Sequence, residues 1–240
     1  MPNVLITGAD RGLGLSLCKE YLTRGWTVFA GKYMEDYTLL EDLRAADYNL
    51  HIIPLDMGSE ASIESAVDKV KEHSPILDMF ISNAALMGKV KCNLYDPPMD
   101  LDAPWNSFRV NALGPVLLTE KLLPLFEHSE IKRLCFVSSE VSCITLMKNR
   151  HDNTYPYPMS KAALNMGVRL LHNNLYKQGY TFRLFHPGWM KFRNKDGSLT
   201  ETAIYDPDQI GITAARYFEE HLIDEHRLVM VDFNGYEWPY

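Results

Sequence analysis

Seven short apolar runs, alternating with six stretches of helical periodicity, constrain this chain more than any other feature. They are "NVLIT" (3–7), "WTVFA" (26–30), "HIIPL" (51–55), "DMFIS" (78–82), "RLCFVS" (133–138), "FRLFH" (182–186) and "RLVMV" (227–231). Most are continuously apolar rather than alternating, which fits strands covered by helices on both faces. Helical patterns lie near 13–24, 36–46, 59–73, 104–128, 157–177 and 207–221. In the third, Ser59 stands where a cap belongs, and Ile63, Ala66, Val67 and Val70 recur on one face. This alternation predicts an α/β, doubly wound parallel sheet of about seven strands, with right-handed crossovers. No linker, repeat or low-complexity segment interrupts it, so residues 1–240 read as a single domain.

The first strand runs into "TGADRGLG" (7–14) and then a helix. In such a sheet the first strand-to-helix turn is where dinucleotides bind, and the helix N-terminus offers unpaired N–H groups to a pyrophosphate. Side chains at Gly8, Gly12 or Gly14 would obstruct the turn, the phosphate or the packing of helix on strand. Asp10, Arg11 and Leu13 complete this candidate loop. The second strand ends "FAGKYMED", so its tip carries Gly31 or Lys32 and no carboxylate for the ribose hydroxyls. Arg11 and Lys32 together favour a 2′-phosphate, hence NADP(H) over NAD(H). Glu35 and Asp36 lie close enough to keep NAD(H) open, and both cations also read as solvated surface charges.

Composition removes other classes. A formal charge of −7 argues against nucleic acid or an anionic membrane as partner. No apolar run reaches the roughly 18 residues a span requires, and "MPNVLITG" enters a strand directly, unlike a signal peptide. Cys18, Cys92, Cys135 and Cys143 lack CxxC spacing and read as reduced thiols of a cytoplasmic protein. The eight histidines show no metal-ligand spacing, so no metal is expected.

In "YPYPMSKAALNM" (155–166), Tyr157 and Lys161 stand four residues apart at the start of a helix and share a face. A free phenol has a pKa near 10 and is a poor base at neutral pH. An ammonium about 4 Å away, at an effective dielectric of about 20, contributes roughly 4 kcal/mol toward the phenolate, or about 3 pKa units. The expectation is a tyrosine brought close to working pH by Lys161. Tyr155 is the decoy, because Met159 stands four residues after it.

Over its whole length the chain resembles the short-chain dehydrogenase/reductase family. The likeness rests on "TGADRGLG", "PLDM" (54–57), "SNAA" (82–85), "VNALGP" (110–115), "FVSS" (136–139), "YPMSK" (157–161) and "HPGW" (186–189), in that order. "YPYPMSKAALNM" and the tail "FNGYEWPY" look most like the carbonyl-reductase and C-signal branch. The resemblance implies an NAD(P)-binding Rossmann fold and reduction of a ketone or aldehyde, or the reverse alcohol oxidation. Tyr157 would exchange the proton with the carbonyl oxygen. Lys161 would lower the tyrosine pKa and bond the nicotinamide ribose, and Ser139 would bond the substrate oxygen, with Ser138 supporting the strand. Asn111 would hold a water connecting Lys161 to solvent. Asp56 and Met57 would meet the adenine, Asn83, Ala84 and Ala85 would pass beneath the adenosine, and Pro187 and Gly188 beneath the nicotinamide. It also implies a homodimer or homotetramer built on the helices at 104–128 and 157–177, and a small-molecule carbonyl or alcohol substrate.

Departures from the family pattern are informative. A threonine commonly follows the Pro-Gly pair and holds the nicotinamide amide; here Phe192 stands there, leaving the backbone of Trp189 and Met190 for that task. Ser139 precedes Tyr157 by 18 residues, more than is usual, so Ser142 stays open as an alternative. The substrate wall is expected from 86–98, 142–156 and 189–206, which suit an apolar carbonyl compound or one with a distal anionic group. A dinucleotide-binding sensor with little turnover, or a dehydratase or epimerase on the same fold, remain the alternative readings.

Overall fold

A computed structural model describes residues 1–87, 102–147 and 154–240. One eight-stranded sheet organises them, comprising β1 (Asn3–Thr7), β2 (Thr27–Lys32), β3 (Leu50–Pro54), β4 (Met79–Ser82), β5 (Arg133–Val137), β6 (Thr181–His186), β7 (Met230–Asp232) and β8 (Glu237–Trp238). Their order is β3-β2-β1-β4-β5-β6-β7-β8, parallel through β7 and antiparallel only at β8. The doubly wound sheet expected from the alternation is therefore present. Order reverses between β1 and β4, so the crevice above those two strands is the topological switch point.

Side chains alternate across the sheet, and both faces are buried. Val4, Ile6, Val28, Ala30, Met79 and Ile81 pack with α1 (Gly12–Thr23) and α7 (Pro207–Glu219). Leu5, Phe29, Phe80, Leu134 and Phe136 face α3 (Glu60–His73), α5 (Gly114–Phe126) and α6 (Pro156–Leu175). The shorter α2 (Leu39–Ala46) and α4 (Asp102–Phe108) complete the layers. Ser59 caps α3 as its sequence implied, accepting from Ser62 N–H.

Three elements differ from the sequence reading. The helix expected over 104–128 is divided: a π-turn at Arg109–Leu113 separates α4 from α5. Pro115 has no N–H to continue the α ladder, and Gly114 is pressed onto Met57, whose carbonyl oxygen would lie 2.3 Å from an added Cβ. β2 runs to Lys32 rather than ending at 30, in register with Pro54, so Lys32 stands at the strand's tip as expected. The last parallel strand begins at Met230 instead of 227, and the tail returns as β8 because Asp232 accepts from the N–H groups of Asn234 and Tyr236 and from the Trp238 indole.

Candidate active site

The glycine turn is locked to the strand beside it. Asn83 donates from its amide to the carbonyls of Thr7 (2.9 Å) and Gly8 (3.1 Å), while Thr7 Oγ1 accepts from the N–H groups of Asn83 and Ala84. Gly8 has φ +63° and a Cβ there would lie 2.7 Å from the Ala84 Cα; one on Gly14 would lie 2.1 Å from the Gly8 carbonyl oxygen. These two positions need glycine for packing alone. Gly12 differs, because the space its side chain would fill is open. Helix α1 starts there with no side-chain cap and no acidic residue in its first turn. Its N–H groups and dipole are thus left for an anion, which fits a dinucleotide pyrophosphate. Leu13 points the other way, buried in the core.

Around the end of β2, the charged residues have separate engagements. The Asp10 carboxylate accepts from the N–H groups of Tyr33 (2.9 Å) and Met34 (2.7 Å), and burial holds its pKa above the usual carboxylate range. Lys32 Nζ is paired with Glu41 at 2.6 Å. Asp36 is paired with Lys195. Arg11 forms no ion pair among the described residues; its guanidinium donates to the Tyr37 hydroxyl at 2.8 Å and lies over the rings of Tyr37 and Phe192. Asp56 bonds its own turn through Gly58 N–H (2.8 Å), Met57 is buried beside it, and Ala85 is exposed above Ala84.

Ser139, Tyr157 and Lys161 converge at the C-terminal end of β5. Pro156 opens α6, and the i, i+4 spacing places Tyr157 and Lys161 on the same face. The Ser139 side chain lies close enough to Tyr157 to act on its phenol. Lys161 Nζ donates to the Val137 carbonyl at 2.8 Å and stands 5.8 Å from the centre of the Tyr157 ring. The electrostatics correct the sequence estimate. Burial pushes the Tyr157 phenol up to about 12, with the Ser139 side chain opposing it, and burial pulls Lys161 down to about 7. Lys161 is fully buried and Tyr157 partly so, and desolvation drives each toward its neutral form.

Asn111 occupies the π-turn. Its amide oxygen accepts from Leu86 N–H (2.7 Å), and its nitrogen donates to the Leu86 carbonyl (2.8 Å) and Ser160 Oγ (2.9 Å). Ser160 in turn donates to the Tyr157 carbonyl, so Asn111 is joined to the start of α6. Ser142, the alternative to Ser139, is buried, with its hydroxyl donating to the Ser139 carbonyl at 2.6 Å; Ser138 donates to Asn165. Both brace the loop from within.

Pro187 and Gly188 form the turn after β6. Gly188 has φ +78°, with the Tyr205 and Phe233 rings within 3 Å of where a Cβ would stand. Trp189 is exposed, and its carbonyl accepts from the N–H groups of Ile204 and Tyr205; Met190 bridges to Tyr205. Of the expected substrate wall, residues 88–98 and 148–153 lie outside the described residues, as does Cys92. Within the 189–206 stretch, residues 192–200 form a short hairpin, with Arg193 opposite Leu199, held by Arg193–Asp208 (2.8 Å).

Comparison with known proteins meets this geometry. A family model for short chain dehydrogenases matches residues 2–202. The chain belongs to the short chain dehydrogenase family. It is 31% identical over 212 residues to an uncharacterized oxidoreductase of Schizosaccharomyces pombe, covering 87% of this chain and 81% of the relative. It is 32% identical over 164 residues to the C-signal protein of Myxococcus xanthus, covering 68% of this chain and 93% of that one. Its fold is similar to the crystal structure of the NADPH-bound carbonyl reductase from chicken fatty liver, with a TM-score of 0.86 over 100% of this chain and 99% of that one, at 23% identity.

This dehydrogenase also has supporting residues that sequence reasoning passed over. Thr7 and Ser160 lie within the motifs without a role that the sequence assigns, and Tyr37 lies in none; each holds part of a motif by a hydrogen bond. His186 is another. Its Nδ1 accepts from Glu140 N–H (3.2 Å) and Gly188 N–H (3.4 Å), linking the turn after Ser139 to the Pro-Gly turn. Burial lowers its pKa, which suits an imidazole acting as acceptor, although Glu140 and Asp232 pull the other way. Among the described residues no helix is long and apolar enough to cross a membrane.

Proposed function

We propose that this dehydrogenase reduces a small ketone or aldehyde with NADPH, or oxidises the corresponding alcohol. The observation that carries the reading is the convergence of Ser139, Tyr157 and Lys161 at the strand ends, beside a helix N-terminus with open space at Gly12. When bound, the nicotinamide supplies the hydride in reduction and accepts it in oxidation. Ser139 donates a hydrogen bond to the substrate oxygen. The Tyr157 phenol, kept protonated because burial raises its pKa, gives that oxygen its proton as charge develops there. Lys161 holds the proton pool behind it and bonds the nicotinamide ribose, and Asn111 keeps α6 and the loop after β4 in place. The glycine turn, with its open space at Gly12, and the α1 N-terminus would hold the cofactor's phosphates, Gly8 and Gly14 shaping that turn; Asp56 and Met57 would hold its adenine, and Pro187 and Gly188 its nicotinamide.

NADP(H) is favoured over NAD(H) by Arg11, a cation without an ion pair among the described residues; of the three acids nearest the end of β2, two are engaged, while Glu35 is exposed and weighs toward NAD(H). Asp10 and Asp36 are already engaged. Lys32, being paired with Glu41, is the lesser contributor. The chicken reductase that shares the fold has NADPH bound. An NADPH-oxidation screen against carbonyl compounds, apolar ones and ones with a distal anionic group, tests the activity. Consumption with one class identifies the substrate type; none with either sinks the reductase reading. Fluorescence titration tests the cofactor, and tighter binding of NADH than of NADPH overturns the preference.

The assembly is a homodimer or homotetramer in this reading. Support comes from Met159, Met166 and Leu170, exposed along α6, and Leu113 on the π-turn. Light scattering should give a mass well above 27.5 kDa at micromolar concentration; a single species at that mass rejects it. Cytoplasmic residence accords with three buried free thiols, Cys18, Cys135 and Cys143; secretion of the protein from its native cells would contradict it.

A further inference from the structure

Arg11 stands one residue before α1 with extended backbone, φ −162°, so no helical packing fixes its side chain. Two aromatic residues do so instead. Tyr37, 6% exposed, lies in the connection from β2 to α2; it accepts from Nη1 at 2.8 Å and its ring centre is 5.2 Å from the guanidinium carbon. Phe192 comes from the hairpin after β6, and its ring centre is 5.7 Å away. That hairpin is anchored independently. Phe192 exchanges backbone hydrogen bonds with Thr200, one to its hydroxyl and one from its N–H, both 2.9 Å; Arg193 reaches Asp208, and Lys195 reaches Asp36.

We propose that Tyr37 and Phe192 are specificity-determining positioning residues, which hold the Arg11 guanidinium at the mouth of the glycine turn for a 2′-phosphate on the cofactor's adenosine. The proposal rests on the cofactor reading above and adds the means by which the cation is preorganised. An arginine loses many rotamers on binding a phosphate, and a side chain already held loses fewer. A carboxylate partner would hold it too, but would compete with the phosphate for charge and donors. Aromatic faces attract the guanidinium without a direct ion pair, Asp36, which feels its charge, being bound to Lys195; one hydroxyl uses only one of its five N–H groups, so a bidentate approach stays available. The hairpin that closes one side of the site thereby takes part in choosing the cofactor.

The test compares adenosine 2′,5′-bisphosphate with adenosine 5′-monophosphate by calorimetry, with no turnover involved. Phe192→Leu should weaken the bisphosphate about two- to five-fold, as expected for a partly exposed cation–π contact, while the monophosphate is unaffected. Phe192→Tyr, which restores an aromatic face, should bind the bisphosphate as the parent does. Tyr37→Phe, which keeps the ring and removes the hydroxyl, should show a loss of similar size. Arg11→Met reports on the underlying reading and should abolish the advantage of the bisphosphate. If Arg11→Met retains that advantage, the cofactor reading fails and the clamp with it. If Arg11→Met loses it while Phe192→Leu and Tyr37→Phe match the parent, only the clamp is wrong. Equal weakening of both nucleotides by Phe192→Leu, or loss in Phe192→Tyr as large as in Phe192→Leu, assigns the ring to packing and also overturns it. Melting curves without ligand identify any variant that has lost its fold; the remaining aromatic variant then decides.

Discussion

Strand β5 has a buried cation at each end, and the two are treated differently. At its start, Arg133 donates to Thr181 Oγ1 and to the carbonyls of Phe218 and Glu220. Beside it, Arg183 donates to both oxygens of Glu225, at 2.8 and 2.9 Å, and to the carbonyls of Phe182 and Glu220. These guanidinium groups tie the end of α7 and the loop after it to the sheet. At the other end of β5, Lys161 has one hydrogen bond among the described residues, to Val137. Both ends are dry, yet one cation is well supplied with acceptors and the other is not. Buried charges with full sets of partners generally serve structure, and under-supplied ones mark places where chemistry or a ligand completes the set.

The largest effect should come from the under-supplied end. Tyr157→Phe removes one hydroxyl and keeps the ring, so fold and NADPH affinity should persist while turnover falls about 10²–10⁴-fold. Tyr155→Phe, two residues earlier at the mouth of α6, should stay within about three-fold, the loss expected when no proton-transfer group is touched. Steady-state rates on any carbonyl compound the parent reduces make the measurement. Near-parental turnover in Tyr157→Phe would remove the chemical meaning of the contrast.

Sequence reasoning reached the sheet and the motif residues of the site because both are written locally. Continuous apolar runs identify doubly covered strands, and Ser139, Tyr157 and Lys161 sit in ordered motifs. What it could not reach depends on distant partners. The interruption at Gly114 requires the Met57 carbonyl, and β8 requires Asp232 to gather the tail. Lys32 reads as a free cation until α2 brings Glu41 to it. The direction of the Tyr157 shift has the same origin: spacing reveals a neighbouring charge, and only the packed structure reveals the burial that opposes it.

An effect of intermediate size is expected at the well-supplied end. Glu225→Gln removes the carboxylate facing Arg183 and Arg133, leaving two buried guanidinium groups with carbonyl and hydroxyl partners but no counter-charge. Glu225 is held below its usual pKa despite a desolvation penalty that acts the other way, with the Arg183 hydrogen bond the largest lowering influence. Breaking a fully buried pair costs about 3–5 kcal/mol; with Glu225 partly open to solvent, about 2–3 kcal/mol is expected, or a Tm lower by about 4–10 °C. Urea denaturation at neutral pH measures it. The loss should fade in acid as the parent's Glu225 becomes protonated, since a depressed carboxylate stabilises above its unfolded pKa and ceases to below its folded one. Unchanged stability at neutral pH would show that the arginines need only their carbonyl acceptors.

The smallest effect has the opposite sign, and it separates the two ends most directly. Lys161 is drawn down to about 7 from an ordinary value near 10.5, so between those limits the unfolded chain binds more protons than the folded one. Stability therefore rises with pH through that window as the lysine sheds the charge that burial penalises. Lys161→Met keeps a long, unbranched apolar stem and has no charge to lose. It should melt about 2–5 °C above the parent near pH 7. That advantage should shrink toward pH 10, where the parent's lysine is neutral and the variant still lacks the donor to Val137, worth about 1 kcal/mol. Arg133→Met should destabilise at every pH tested, because a guanidinium stays charged throughout and its acceptors are lost with it. Calorimetry from pH 7 to 10 supplies all three curves. A Lys161→Met protein less stable than the parent at pH 7, or a difference that does not change with pH, would mean that Lys161 is as well accommodated as the arginines, and that its position says nothing about function.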